Sequence, residues 1–118
     1  MTDLTPDLQF LVGEPLNAVS FVMDYVELHF NGSYLRCLTS PTIARGGKVV
    51  RFPEAGSRDA LCALIGAEVR AINAAVGEEL RVEFSDGTLV SAPLSYDDAD
   101  GPEVLHFRNQ ATGETQWW

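Results

Sequence analysis

The chain has 118 residues, with 17 acidic against 8 basic side chains and a formal net charge of -9. That length suits one domain able to bury a core without disulfide or metal staples, and 46% hydrophobic against 21% charged residues excludes an intrinsically disordered chain. So acidic a chain repels phosphate backbones, which argues against nucleic acid as a partner, and no apolar run approaches the ~18–20 residues of a membrane helix.

Thr5 stands where a helix N-cap is wanted, with Pro6 at the first helical position. Leu8, Leu11 and Val12 follow at helical spacing, and Gly13 suits a left-handed position at the helix end. From Leu16 the period becomes two. Leu16, Ala18 and Ser20 alternate with Asn17, Val19 and Phe21, which predicts a strand partly covered on both faces. Val26, Leu28 and Phe30 then alternate with Glu27 and His29. Asn31-Gly32 is the strongest hairpin signal in the chain, with residues 33–39 as the returning strand.

Residues 40–56 read as a connector, in which Pro41, Gly46, Gly47, Pro53 and Gly56 surround a short strand at 48–52. Ser57 predicts a second N-cap before Leu61, Leu64 and Ile65, and Gly66 ends that helix. Leu80, Val82 and Phe84 alternate with Arg81 and Glu83, Asp86-Gly87 turns the chain, and residues 88–92 return. Residues 93–118 hold an acidic loop, a last strand at 104–108, a turn near Thr112-Gly113, and a tail ending in Trp117-Trp118.

The strongest signal is a repeat. Residues 11–19 align with 64–72 at an offset of 53, and Leu8 with Leu61 at the same offset. Leu28 and Phe30 match Val82 and Phe84 at 54, and Gly32 and Leu35 match Gly87 and Val90 at 55. Each drift falls where a loop or bulge absorbs it. The matches keep their order, which points to a duplicated unit. The expected architecture is a single α+β, β-dominated domain over 1–118, with repeat copies at 5–39 and 57–92, the connector at 40–56 and the C-terminal strand and tail at 93–118. Two short helices and seven or eight mostly antiparallel strands form a pseudo-twofold sheet, roll or half-open barrel.

Charge divides the chain into three. Residues 1–30 carry five acids and no base. Residues 31–58 carry Arg36, Arg45, Lys48, Arg51 and Arg58 against Glu54, a local balance of +4 that suits local anion binding or pairing with the surrounding acids. Residues 59–118 carry eleven acids and three bases. Cys37 and Cys62 read as small buried hydrophobes. Met1 to Asp7 has two acids and no base, unlike a secretory leader, so the cytoplasm is the expected compartment. Seven of the eight bases are Arg, a bias common in GC-rich bacterial genomes.

The chemistry motifs mostly fail. Residues 44–49 lack the spacing and the hydroxyl of a phosphate loop. An EF-hand through Asp97, Asp98 and Asp100 would put Tyr96 and Phe107 at positions that need oxygen ligands. His29 and His106 share no metal-ligand spacing, so no metal and no cofactor are expected. Adjacent acids such as Glu78-Glu79 point to opposite faces of a strand. The tandem tryptophans either close the core or dock a partner, since Trp is enriched at interface hot spots.

The Leu-Val-Gly-x-x-Leu opening at 11–16, the Leu-Ile-Gly-x-x-Val opening at 64–69 and Phe84-Ser85-Asp86-Gly87-Thr88-Leu89 resemble a family of small bacterial proteins of unknown function, whose members join a Gly-stopped helix to an F-x-D-G hairpin. The resemblance spans residues 8–108 and implies no catalytic residues; Pro15 and the Trp-Trp end depart from it. The expected function is therefore a non-enzymatic protein-binding module of the immunity or adaptor type. It would bind a protein partner or a second copy through Asp97, Asp98, Asp100, Glu103, Trp117 and Trp118. The alternative is a small-ligand binder or minor enzyme, with a pocket between the repeat halves lined by His29, Tyr34, Arg36 and His106.

Overall fold

The computed structural model of the chain describes residues 2–99 and 101–118. Helix α1 (Thr5–Leu8) and a 3-10 turn (Gln9–Leu11) lead into β1 (Ala18–Val22), β2 (Tyr25–Phe30) and β3 (Ser33–Cys37). A hairpin of β4 (Thr42–Arg45) and β5 (Lys48–Arg51) follows. Helix α2 (Ser57–Cys62) opens the second half, with β6 (Val69–Ala74), β7 (Glu79–Phe84) and β8 (Leu89–Pro93). A last hairpin joins β9 (Leu105–Arg108) to β10 (Thr115–Trp117). No helix among the described residues is long and apolar enough to cross a membrane.

The strands form two open antiparallel sheets, ordered β1-β2-β3-β9-β10 and β5-β4-β8-β7-β6, neither closed into a barrel. The two orders are one pattern used twice. Each half supplies a three-stranded meander, and each meander is completed by the hairpin that follows the other half. The β4–β5 hairpin leaves β3 and pairs with β8, while β9–β10 leaves β8 and pairs with β3. Symmetry therefore extends into segments 40–56 and 93–118, which in the sequence look like connector and tail. Their kinship is carried by pairing partners and not by shared residues.

Hydrogen bonds mark the pseudo-twofold axis. Gly13 N–H donates to Val69 O at 2.8 Å, and Gly66 N–H to Leu16 O at 2.7 Å. Leu16 N–H donates to Ala67 O, and Val69 N–H to Glu14 O. Adding 53 to the first-copy residue of a bond and subtracting 53 from its second-copy partner generates the other bond of the pair. Pro15 forms an isolated bridge with Glu68, its own equivalent. Gly13 and Gly66 take φ of +90° and +99°, a conformation in which a Cβ is strained. The equivalence persists at the ends of the exchanged hairpins, where Phe52 N–H bonds Pro41 O and Trp118 N–H bonds Leu105 O.

The alternation predicted for β2, β3, β7 and β8 is present. Leu28 and Leu35 from one sheet and Val82 and Val90 from the other join one buried cluster, which the helices complete with Leu8, Leu11, Leu61 and Leu64. These side chains fill the space between the repeat halves, so His29, Tyr34, Arg36 and His106 line no pocket there.

Three local expectations change. Thr5 caps nothing; its hydroxyl exchanges hydrogen bonds with the backbone of Ala74, tying α1 to the second sheet. Ser57 is buried and turns its hydroxyl back to Glu54 O at 2.7 Å, because it lies inside the first turn of α2 and not ahead of it. Cys62 is exposed on α2, whereas Cys37 is buried. Ten strands form among the described residues where seven or eight are expected. The strands beyond those expected are β4, which pairs with the expected strand at 48–52 through a turn at Gly46 and Gly47, both at positive φ, and β10.

Candidate interaction face

The period-two alternation that buries Val26, Leu28, Leu35 and Phe107 turns their neighbours outward. Strand pairing then lines these neighbours up across the first sheet. One row runs Ser20, Glu27, Arg36, His106 and Trp117. The next runs Ala18, His29, Tyr34, Arg108 and Thr115. Four of the sequence candidates, His29, Tyr34, Arg36 and His106, thus share one face, and Trp117 joins them there.

Arg36 is the hub. Its Nε donates to Glu27 Oε2 at 2.5 Å, and its Nη1 meets His106 Nδ1 at 2.9 Å. His106 Nε2 lies 3.0 Å from Glu103 Oε2. A guanidinium only donates and a carboxylate only accepts, so this chain assigns His106 the neutral tautomer with its proton on Nε2. Tyr25 and Tyr34 present their rings to the guanidinium, with Arg36 Cζ 5.7 and 5.2 Å from their centroids. Burial alone disfavours the Arg36 charge; the hydrogen bond and charge of Glu27 outweigh it and raise the guanidinium pKa above its ordinary value.

His29 sits beyond this chain. Ser20 Oγ lies 3.2 Å from its Nε2, and Glu27 Oε1 lies 3.4 Å from that same nitrogen. A serine nucleophile needs its base oriented by an acid at the other ring nitrogen, so Ser20, His29 and Glu27 do not make a triad. The two histidines are held on β2 and β9, either side of β3, and meet different carboxylates. Among the described residues no group of three or more His, Cys, Asp or Glu is placed to hold a metal ion. The buried Cys37 thiol is pushed up to about 12 by desolvation, far from the range of a reactive thiolate.

Alternation separates the tandem tryptophans. Trp117 points outward beside His106 and is 63% exposed. Trp118 packs against the core, where its indole nitrogen is buried without a hydrogen-bond partner among the described residues. Glu103 reaches the face through His106. Next to it, Asp24, Tyr25, Leu38, Pro102, Glu103 and His106 line a cleft of about 300 Å³. Asp97 and Asp98 lie exposed on a 3-10 turn (Tyr96–Asp98), where Asp97 N–H bonds Ser95 Oγ. Asp100 lies outside the described residues.

Sequence reasoning did not assign Ser20 or Arg108 to a site. The outward register of each was legible in its own strand. Their convergence depends on β9 pairing with β3, a contact between residues some seventy positions apart. Comparison of the chain with protein-family models, with curated proteins and with solved structures finds no match.

Proposed function

We propose that this protein is a non-enzymatic binding module of the adaptor type that docks a partner protein on the outward face of its first sheet. The observation that carries this is the row Ser20–Glu27–Arg36–His106–Trp117. Its charged groups are already paired on a rigid sheet, while an exposed tryptophan, two tyrosines and an arginine remain at the surface. Aromatic residues and Arg dominate the energetics of protein interfaces. A charge that enters an interface already paired avoids the cost of an unpaired buried ion. The acidic chain disfavours nucleic acid and steers basic proteins toward it. A cytoplasmic setting, and kinship with the small bacterial family of the same hairpin pattern, belong to the same proposal.

The cleft beside Glu103 and His106 supports a second reading, a small-ligand site, since its volume is at the lower end of the ~300–1,000 Å³ usual for such pockets. Affinity purification, followed by measurement of a purified one-to-one complex, separates the two. Partner affinity is expected to fall by about tenfold or more in Trp117→Ser and in Tyr34→Ala. Control changes on the second sheet, Arg81→Ala and Ser91→Ala, are expected to leave it intact. Equal losses from both faces, or affinity unmoved by Trp117→Ser, would overturn the assignment.

A further inference from the structure

The geometry points to a second docking site, a groove between the β4–β5 hairpin and the start of α2 that takes an acidic peptide segment carrying a bulky apolar side chain. It is independent of the first-sheet face and lies in the other half of the pseudo-twofold. Along β4 and β5, Ile43 and Arg45 share one side of the hairpin, and Lys48 and Val50 share it with them. Half-buried Val50 forms the accessible apolar floor above Ile43, which is buried in the core, with Arg45 and Lys48 continuing the same side at the hairpin tip. Ala55 and Ala60 form the facing wall, and the groove encloses about 580 Å³.

The equivalent place in the first half is packed differently. There Phe10 packs against Phe107, with ring centroids 6.5 Å apart. The position equivalent to Phe10 is Ala63, and the position equivalent to Phe107 is Ile43. Ile43 is buried all the same, so the accessible apolar surface of the groove is Val50 with Ala55 and Ala60.

Charge selects the occupant. The charged side chains that line the groove are both basic, Arg45 and Lys48, in a chain of net charge -9. The only ion pair of Arg45 among the described residues is an exposed contact with Asp86 at 3.8 Å, a geometry worth little. The overall negative charge does not cancel this preference, because exposed charges are screened beyond ~8 Å at physiological salt. A partner carboxylate therefore meets Arg45 and Lys48, while its apolar neighbour covers Val50 between Ala55 and Ala60.

The test is amide NMR on the full chain with a synthetic probe, acetyl-Asp-Glu-Leu-Leu-Glu-Asp-amide. Two control peptides replace the acids by Lys or the leucines by Ser. Saturable shifts are expected at Val50, Ala55, Gly56 and Ala60, with both controls and the variants Arg45→Glu and Lys48→Glu weaker by about tenfold. The variants are surface changes whose unaltered spectra outside the groove verify folding. Absence of groove shifts, equal binding of the lysine control, or shifts confined to the first-sheet face would overturn the site. Self-association that occupies the groove and is lost in Lys48→Glu would overturn it in favour of a second copy. None of these outcomes bears on the Trp117 experiment, so the two sites stand or fall separately.

Discussion

The outward faces of the two sheets occupy equivalent places in the pseudo-twofold and carry opposite chemistry. Ser20, Glu27, Arg36, His106 and Trp117 on the first sheet correspond to Asn73, Arg81, Ser91, Thr42 and Arg51 on the second. His29 and Tyr34 correspond to Glu83 and Leu89. The first face is a connected network in which one arginine holds a carboxylate and an imidazole across three strands. The second keeps its ion pairs short-range or at the rim, such as Arg81–Glu79 within one strand. The shared backbone therefore does not determine either surface. Inward positions are held alike by the common core, and outward positions are free to diverge.

The comparison is broken or sharpened most strongly at the ends of the exchanged hairpins. Phe52 and Trp118 are equivalent, yet Phe52 is fully buried against Phe21 at 6.0 Å whereas Trp118 is only partly covered. Phe52→Ala is expected to lower stability by about 3–5 kcal/mol, and Trp118→Ala by about 1–2 kcal/mol. Urea unfolding of both variants measures this, and equal losses would mean that the two hairpins are equally essential. Next comes the network itself. Arg36→Ala strands Glu27, whose side chain is 15% exposed, and is expected to cost about 1–2 kcal/mol. On the second sheet Arg81→Ala, at the position equivalent to Glu27, breaks a pair with side chains about half exposed and should stay within ~0.5 kcal/mol.

The smallest effect concerns the hairpin turns. Asn31-Gly32 carries no charge, but the equivalent turn carries Asp86. Desolvation alone would raise the Asp86 pKa; the Thr88 N–H at 2.9 Å and the charge of Arg45 outweigh it and lower it from 3.8. A carboxyl with a depressed folded pKa contributes stability that is present above its unfolded value and is lost as pH falls through the folded one. The gap between the native chain and Asp86→Asn should therefore be below about 0.5 kcal/mol at neutral pH, after allowance for solvent screening. It should close below pH 3.8. Urea midpoints across that range would show it, and a gap that widens in acid would refute it.

Much of the fold was legible because local rules write it. The apolar alternation of β2, β3, β7 and β8, the two glycines at 13 and 66 and the offset of 53 all follow from short-range sterics and burial. The β4–β5 hairpin was partly hidden because its strands are four residues each and only Ile43 among them is fully buried. Of the candidate site, the outward positions of His29, Tyr34, Arg36 and His106 were readable one strand at a time. Their convergence with Glu27 and Trp117, and the division of labour between Trp117 and Trp118, were not.

By itself the sequence determined what each strand buries and where the chain repeats, since a side-chain period and a shared core leave their mark residue by residue. Tertiary structure decided which hairpin completes which sheet. Exchange of β4–β5 and β9–β10 between the halves is a choice among distant backbone partners, and backbone hydrogen bonding is nearly the same for any pair of strands. Only the packing of the whole core selects β9 as the neighbour of β3, and that single pairing assembles the Arg36 network.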